Sequence, residues 1–276
     1  MKKFLMIMFT LAIMQALLLL PFEVTAQEET DPESVFRGIY EAINLGDVAG
    51  AMRLVADDAV VTMLPSPGAD SVLIGQEEIQ SGWEQFIANG GRIEFTAFQS
   101  FGDQAVWTAA VFDEANFAPL GLNPLYMNGG GIVQDGLMQA ASWTFTAESL
   151  MRYKAAIALE ANKMLVTRFM EELWKEGNLD VADELLSEDF VSHVYPEGGR
   201  EELKAAVTGF HADLPNGYFI IDEMIVTEDK VVMRGSAVAE APPAGEEPER
   251  LDRWIVMLSI KDGKITDRWV AFVPTE

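Results

Sequence analysis

Residues 177–196 read GNLDVADELLSEDFVSHVYP, and residues 46–65 read GDVAGAMRLVADDAVVTMLP. The two stretches align without a gap, and each has its glycine, alanine, leucine, aspartate, valine and proline at matching positions. Only the second copy carries a histidine, His193, where the first has Thr62. This shared skeleton indicates that one chain contains the same structural unit twice.

The likeness continues beyond these stretches, in the same order along the chain. The last matched pair runs from Asp-Gly to a tryptophan in both copies, with one extra residue in the first. A repeat of about 126 residues is too long for a solenoid and predicts two tandem domains of ordinary size. The further matched segments are GQEEIQ (75–80) with GREELK (199–204), GDQAVWTAAV (102–111) with EDKVVMRGSA (228–237), and VQDGLMQAASW (133–143) with IKDGKITDRW (260–269).

Each copy reads as helices followed by a strand meander. In the second copy an apolar stripe from Leu165 to Trp174 predicts an amphipathic helix, and Gly177 stands where a helix-ending glycine belongs. This order of elements predicts an α+β unit with helices on one face of a curved antiparallel sheet. The predicted helices are 32–45, 47–55, 75–89, 147–161, 161–177, 179–186 and 200–214, and the predicted strands are 58–64, 92–101, 104–114, 130–135, 137–146, 189–196, 217–228, 230–241, 250–261 and 264–273.

Two connections in this prediction are notable. Residues 116–131 (NFAPLGLNPLYMNGGG) form a connection longer than is usual in a compact domain. Residues 147–161 are expected to run straight into the first helix of the second copy. We therefore expect one domain over residues 27–150 and another over residues 158–276.

The chain opens with MKKFLMIMFTLAIMQALLLLPFEVTAQ, which has a positive start, an apolar run and a small-residue cleavage site. This pattern predicts a signal peptide over residues 1–26 and a secreted or periplasmic protein that begins at Gln27. The alternative is an uncleaved anchor, because the apolar run approaches the length that spans a bilayer.

Composition excludes several classes of function. A net charge of −25, from 44 acidic and 19 basic residues, argues against nucleic acids and anionic membranes as partners. The acidic residues lack calcium-loop spacing, and the two histidines, His193 and His211, are too few for a histidine-rich metal site. No metal is therefore expected. The chain has no cysteine, so it cannot use disulfides.

The stretch NKMLVTRFMEELWKEGNLDVADELLSEDFVSH, followed by DKVVMRG and IKDGKITDRW, resembles the SnoaL-like polyketide cyclase family of the nuclear transport factor 2-like superfamily. The first copy resembles the same superfamily more loosely. This resemblance implies two tandem cone-shaped α+β barrels, an apolar pocket between sheet and helices, and no cofactor. It also implies an aspartate base about seven residues upstream of the glycine of the Asp-Gly turn, but this chain has Val256 there.

Two residues are candidates for acid–base catalysis. His193 lies at the family's strand histidine and could bind a carbonyl or exchange a proton near neutral pH; alternatively it only satisfies backbone groups. Asp252 has the strand parity of Trp254 and Val256, so it could be a base whose pKa is raised by burial. Alternatively, it could pair with Arg250 or Arg253. We expect His193 and Asp252 to face the same cavity.

Other residues are candidates for the pocket wall. Tyr195 has the parity of His193 and could add a phenolic donor, whereas Trp174, Trp254 and Trp269 are expected in the core or the wall. His211 is expected to cap the end of its helix. In the first copy the residues Tyr40, Trp83, Trp107 and Asp113 could line a pocket, but they form no base–acid pair.

Two hypotheses about function follow. In the first, the second domain binds a small apolar carbonyl compound and has cofactor-free cyclase or isomerase activity. In the second, the protein is a non-enzymatic module for ligand binding or assembly, with a homodimer formed through the sheet faces. The valine at position 256 favours the second hypothesis, and His193 supports the first.

Overall fold

The computed structural model describes residues 31–64, 72–194, 198–243 and 245–273. The predicted signal peptide, residues 1–26, lies outside these described residues, as does its predicted cleavage point before Gln27. Within the described parts of the chain, no helix combines the length and apolar character needed to cross a membrane.

The structure contains two α+β units in tandem, each with its own sheet and its own apolar core. In the first domain the helices are α1 Pro32–Asn44, α2 Val48–Met52 and α3 Gly75–Ala88, and the strands are β1 Val55–Leu64, β2 Val72–Ile74, β3 Arg92–Phe101, β4 Gln104–Phe112, β5 Leu125–Gln134 and β6 Leu137–Phe145.

A long helix, α4, spans Ala147–Arg168 and continues without a break into a π-helix at Phe169–Lys175. The rest of the second domain comprises the helices α5 Val181–Leu185 and α6 Arg200–Asp213, and the strands β7 Leu186–Ser192, β8 Tyr218–Val226, β9 Lys230–Val238, β10 Arg250–Lys261 and β11 Lys264–Val273.

The predicted fold class, two tandem α+β barrels, is confirmed, but the sheets are mixed rather than antiparallel throughout. The strand order is β2-β1-β6-β5-β4-β3 in the first sheet and β7-β11-β10-β9-β8 in the second. In both, the first long strand pairs in parallel with the last strand, β1 with β6 and β7 with β11. In each domain one helix, α3 or α6, carries the chain across the sheet face to the opposite edge. The strands that follow return step by step, so the last one pairs in parallel with the first long strand.

The predicted long connection before residue 131 is shorter than expected, because β5 begins at Leu125. The glycines that suggested a loop belong to this strand. A Cβ at Gly129 would overlap the indole of Trp107, and one at Gly131 would overlap the ring of Phe36. These glycines therefore let two core aromatic side chains lie against the strand.

The helix α4 belongs to both domains. Near its start, Ser149 Oγ accepts a hydrogen bond from the Tyr126 amide at 2.8 Å, and Tyr153 packs against Phe145 in the first core. Further along, buried Asn162 donates two hydrogen bonds of 2.9 Å to the carbonyl oxygens of the turn between β8 and β9. The helix therefore passes from one core to the other without a flexible linker.

Candidate functional site

A cavity of about 410 Å³ lies in the second domain, between the sheet and the helices. The π-helix and α6 form one wall, and strands β8 to β11 form the other. Its lining is predominantly apolar and strongly aromatic, which is typical of a small-molecule pocket, and its volume is near the lower end of the usual range. The aromatic residues of the lining are Phe169, Trp174, Phe210, Phe219, Trp254 and Phe272.

The aromatic side chains support one another. Phe210 and Phe219 stack with their ring centroids 4.7 Å apart, and Trp174 meets Phe219 edge-to-face at 5.5 Å. Trp254 also meets Phe219 edge-to-face, at 5.9 Å. Such contacts hold aromatic rings in fixed orientations, so the cavity wall is organised before any ligand enters.

The π-helix sets the position of Trp174. It turns Phe169, Met170, Leu173 and Trp174 toward the core, and π-helical segments are frequent at functional sites. The carbonyl oxygen of Trp174 accepts a hydrogen bond from His211 Nε2 at 3.0 Å. His211 thus lies in the last turn of its helix, as predicted, but its ring binds the end of the neighbouring π-helix.

Strands β9 and β10 set the position of Trp254. A Cβ at Gly235 would overlap the Trp254 indole, so the absence of a side chain on β9 lets the ring lie against this strand. Trp254 is 4% exposed, and its Nε1 has no hydrogen-bond partner among the described residues. Its neighbour on the same face, Val256, is also buried and lines the cavity. The position where the family resemblance implies a catalytic carboxylate is therefore apolar wall.

Three charged residues line the cavity. Arg268 on β11 is only 7% exposed, its guanidinium carbon lies 5.2 Å from the centroid of the Trp174 ring, and its Nη1 lies 3.4 Å from Ser192 Oγ. Asp213, at the end of α6, and Asp252, on β10, are both exposed. The cation is therefore inside the domain, and the two carboxylates are at its surface.

The expectation that His193 faces this cavity is wrong. His193 follows the last residue of β7, its side chain is 39% exposed, and its Nε2 lies 3.0 Å from Asp267 Oδ1. Its ring stacks on Trp269 at 4.3 Å. The inward residues of β7 are Phe190 and Ser192, both buried, and side chains one position apart on a strand point to opposite faces.

Trp269 lies with His193 on the outer face of the sheet and does not line the cavity. The matching tryptophan of the first domain, Trp143, is buried in its core. The one extra residue in the first copy explains this difference, since a shift of one residue moves a side chain to the other face. Tyr195 lies outside the described residues.

Trp174, Trp254 and Asp252 line the cavity. The alternative in which Asp252 pairs with Arg250 is not what the structure has, because Arg250 Nη1 contacts Asp222 Oδ1 at 2.7 Å and Ser236 Oγ at 3.2 Å. The sequence reading did not identify Arg268, Phe210 or Phe219. One signal for Arg268 was available in the sequence, its alternation with Val270 on β11. Its place opposite Leu258 depends on a register shift between Ser259 and Ile260.

A second cleft, of about 440 Å³, lies beside the cavity and shares Trp254 with it. It is lined by Arg234, Arg250, Arg253 and Asp222 among others. Arg250 is paired with Asp222, and Arg234 Nε contacts Glu223 Oε2 at 2.7 Å. These exposed pairs indicate a solvated surface, where ion pairs contribute little.

The interior of the first domain is filled by aromatic side chains. Trp107 stacks on Phe98 at 5.7 Å and meets Trp143 at 5.3 Å, and Trp143 Nε1 donates a hydrogen bond of 3.0 Å to Tyr40 Oη. Tyr40, Trp107 and Trp143 are thus core residues of the first domain.

Two other first-domain candidates also have structural contacts. Trp83 is buried in the first core. Buried Asp113 accepts hydrogen bonds from the amides of Ala115 and Asn116, which is the role of a turn residue. Among the described residues, no group of three or more acidic or histidine side chains could hold a metal ion.

The comparison with known families agrees with the geometry. Residues 166–268 match the SnoaL-like domain. This segment contains the π-helix, the cavity wall of α6 and nearly all of the second sheet. The second half of the chain is therefore similar to a SnoaL-like domain. The resemblance seen in the sequence is therefore confirmed, and it is stronger for the second domain than for the first.

Several solved structures are similar to parts of the chain. A candidate polyketide cyclase from Bacillus cereus shares 29% identity over 39% of this chain and 71% of its own, with a TM-score of 0.34. A candidate polyketide cyclase from Sinorhizobium meliloti shares 20% identity over 40% of this chain and 93% of its own, with a TM-score of 0.34.

A nuclear transport factor 2-like protein of unknown function from Mesorhizobium loti shares 20% identity over 45% of this chain and 98% of its own, with a TM-score of 0.36. No curated protein matches the chain significantly.

Proposed function

We propose that the SnoaL-like domain is a binding module for a small, predominantly apolar molecule, which it holds in the cavity between the π-helix, α6 and the sheet. The observation that carries this proposal is the ordered aromatic wall around about 410 Å³ of space. Removal of an apolar ligand from water into such a site is favourable in proportion to the apolar area buried. The fixed rings reduce the entropy that is lost on binding.

The arrangement of polar groups favours binding over catalysis. Proton abstraction next to a carbonyl needs a base and an enolate-stabilising group that reach adjacent atoms of the substrate. Here the candidate base is Asp252, and the cationic group that could stabilise an enolate is Arg268. Arg268 pairs with Leu258, which lies six residues along β10 from Asp252. Six residues of strand span about 20 Å, so the two side chains are poorly placed to act on one carbonyl group.

The acid–base hypothesis keeps one supporting observation, that Asp252 lines the cavity. It has lost the contribution of His193, which lies on the outer face of the sheet. Export of the protein, which the opening sequence predicts, would place this binding function outside the cytoplasm.

The proposal is tested with a cavity-filling variant. Ala206 lines the cavity, is half-buried and packs against the second core, so Ala206→Phe adds a ring to the cavity wall. The matched control is Ala205→Phe, on the same helix, at an exposed position that does not line the cavity. The probe is 1-aminoanthracene, a small neutral dye whose emission increases in an apolar site.

We expect the wild type and Ala205→Phe to bind the dye equally well, and Ala206→Phe to bind it at least tenfold more weakly. Circular dichroism would confirm that both variants are folded. Equal binding by all three proteins would place the dye on the surface. Absence of binding by the wild type would contradict an apolar binding site in this cavity.

A further inference from the structure

The cleft of about 440 Å³ beside the cavity differs from the rest of the chain in its charge. Three arginines, Arg234, Arg250 and Arg253, line it, in a protein with 19 basic and 44 acidic residues. Asp222 is the one acidic residue among the described residues of its lining. Cations that are concentrated in a concave site attract anions, even where the protein as a whole repels them.

The pairing of β9 with β10 brings two of these arginines together. Arg253 pairs with Ser236, and Ile255 pairs with Arg234. Side chains two positions apart on a strand share a face, so all four point the same way, and Arg234 and Arg253 are diagonal neighbours about 7–8 Å apart. Trp254 alternates with them and packs in the second core. The arginines are therefore on the outer face of the sheet, away from the apolar cavity.

The third arginine, Arg250, reaches the same place from the start of β10. Its Nη1 lies 2.7 Å from Asp222 Oδ1 and donates a hydrogen bond of 3.2 Å to Ser236 Oγ. Ser236 is only 1% exposed and lies directly opposite Arg253 in the register. The three arginines therefore meet around one buried hydroxyl group.

The neighbours of these arginines leave many of their donors available. A guanidinium has five N–H groups. Asp222 and Ser236 both contact Nη1 of Arg250, and Glu223 contacts Nε of Arg234 at 2.7 Å. In the described part of the chain, the Arg253 guanidinium has neither an ion pair nor a hydrogen bond. Two guanidinium groups are thus held in place before a ligand arrives, which lowers the entropy lost on binding.

We propose that this cleft binds a phosphate or sulfate monoester and is a second ligand site, distinct from the apolar cavity. A tetrahedral ester group has three terminal oxygens, so it can accept hydrogen bonds from three separate guanidinium groups, whereas a carboxylate has only two oxygens. Ile255 and Val273, which are 43% and 42% exposed, also line the cleft. They provide an apolar surface for the organic part of the ester.

The test compares four compounds that share a benzene ring: phenyl phosphate, phenyl sulfate, benzoate and benzyl alcohol. Each is titrated against the full chain in a calorimeter at neutral pH and low ionic strength. We expect at least one of the two esters to bind tenfold more tightly than benzoate, and benzyl alcohol to bind most weakly. The ratio of the two ester affinities shows whether the site prefers phosphate or sulfate.

Variants then assign ester binding to the cleft. Arg253→Gln should weaken it at least tenfold, because this change removes the guanidinium with the most available donors. The matched control is Arg152→Gln, which makes the same change in net charge at an exposed position on α4 outside the cleft. It should leave ester binding unchanged, and so should Ala206→Phe, which adds a ring to the separate cavity.

The inference is wrong if wild-type protein binds neither ester, or if benzoate binds as tightly as both. It is also wrong if Arg253→Gln and Arg152→Gln weaken binding equally, since the effect would then come from net charge. Loss of ester binding in Ala206→Phe would place the esters in the cavity and overturn the inference as well. The apolar binding function is judged separately, by 1-aminoanthracene.

Discussion

His211 Nε2 lies 3.0 Å from the carbonyl oxygen of Trp174 and joins the last turn of α6 to the end of the π-helix. The two helices form one wall of the cavity, so this hydrogen bond fixes the distance between them. Gly177 lies against the ring of His211. Its φ of 71° favours glycine, and a Cβ there would lie only 3.2 Å from the His211 ring.

The first prediction concerns this hydrogen bond. His211→Phe keeps a ring of similar size but leaves the Trp174 carbonyl without its side-chain donor. We expect the free energy of unfolding to fall by about 1–3 kcal/mol, the usual effect of leaving a buried polar group unsatisfied. His211→Gln, which retains a donor, should recover part of the loss. Urea unfolding measures both variants, and unchanged stability of His211→Phe would show that the bond is unimportant.

The second prediction concerns the first core. Burial raises the pKa of Tyr40 well above that of an exposed tyrosine, and the hydrogen bond from Trp143 opposes this effect only partly. Tyr40→Phe leaves Trp143 Nε1 without its acceptor, so we expect a loss of about 1–3 kcal/mol in the free energy of unfolding at neutral pH.

The same pKa shift predicts how this difference depends on pH. Above about pH 10 the unfolded chain releases the Tyr40 proton and the folded chain retains it, so wild-type stability falls as the pH rises. Tyr40→Phe lacks this contribution. The difference between the two proteins should therefore narrow by up to about 1.4 kcal/mol per pH unit above pH 10. A constant difference from pH 9 to 11.5 would show that Tyr40 ionises normally.

Much of the fold follows from local signals in the sequence. The bounds of β10 and β11 are as predicted, because the Asp262-Gly263 turn and the alternating apolar residues define them. The start of β5 was not predictable in this way. Gly129 and Gly131 resemble a loop, and the reason for them is the position of Trp107 and Phe36, which lie far away in sequence.

The site was less predictable than the fold. Trp174 and Trp254 could be assigned to the wall from periodicity alone. For His193 the predicted face is wrong. Phe190 is the large apolar residue of β7 that faces the core, and His193, three residues later, points to the opposite face. Arg268 was missed because a charged residue in a strand usually faces solvent. Its burial depends on Trp174, which belongs to a distant helix.

The third prediction concerns His193. The imidazole and Asp267 form a partly exposed pair on the outer face of the sheet, and pairs of this kind contribute about 0–1 kcal/mol. His193→Ala should therefore leave 1-aminoanthracene binding unchanged and lower the free energy of unfolding only slightly. A tenfold loss of dye affinity, with the fold intact, would show that His193 belongs to the binding site.

The fourth prediction concerns the independence of the second domain. Its apolar core is formed by residues from Leu165 onward, and the first core takes its last contacts on α4 from Tyr153 and Ala156. A fragment of residues 158–276 retains Asn162 and the whole second core. We expect it to unfold cooperatively in urea and to bind 1-aminoanthracene. A fragment with native-like helix content but no cooperative transition would show that the two domains depend on each other to fold.

The most direct test of the central claim, that the second-domain cavity is the ligand site, is a crystal structure of the full chain with 10-bromodecanoate. The bromine marks the end of the ligand tail by anomalous scattering. We predict bromine density inside the cavity, with the ligand chain between Trp174 and Trp254. Bromine density on the outer sheet face beside Trp269, or in the first domain, with the cavity free of ligand, would contradict the account.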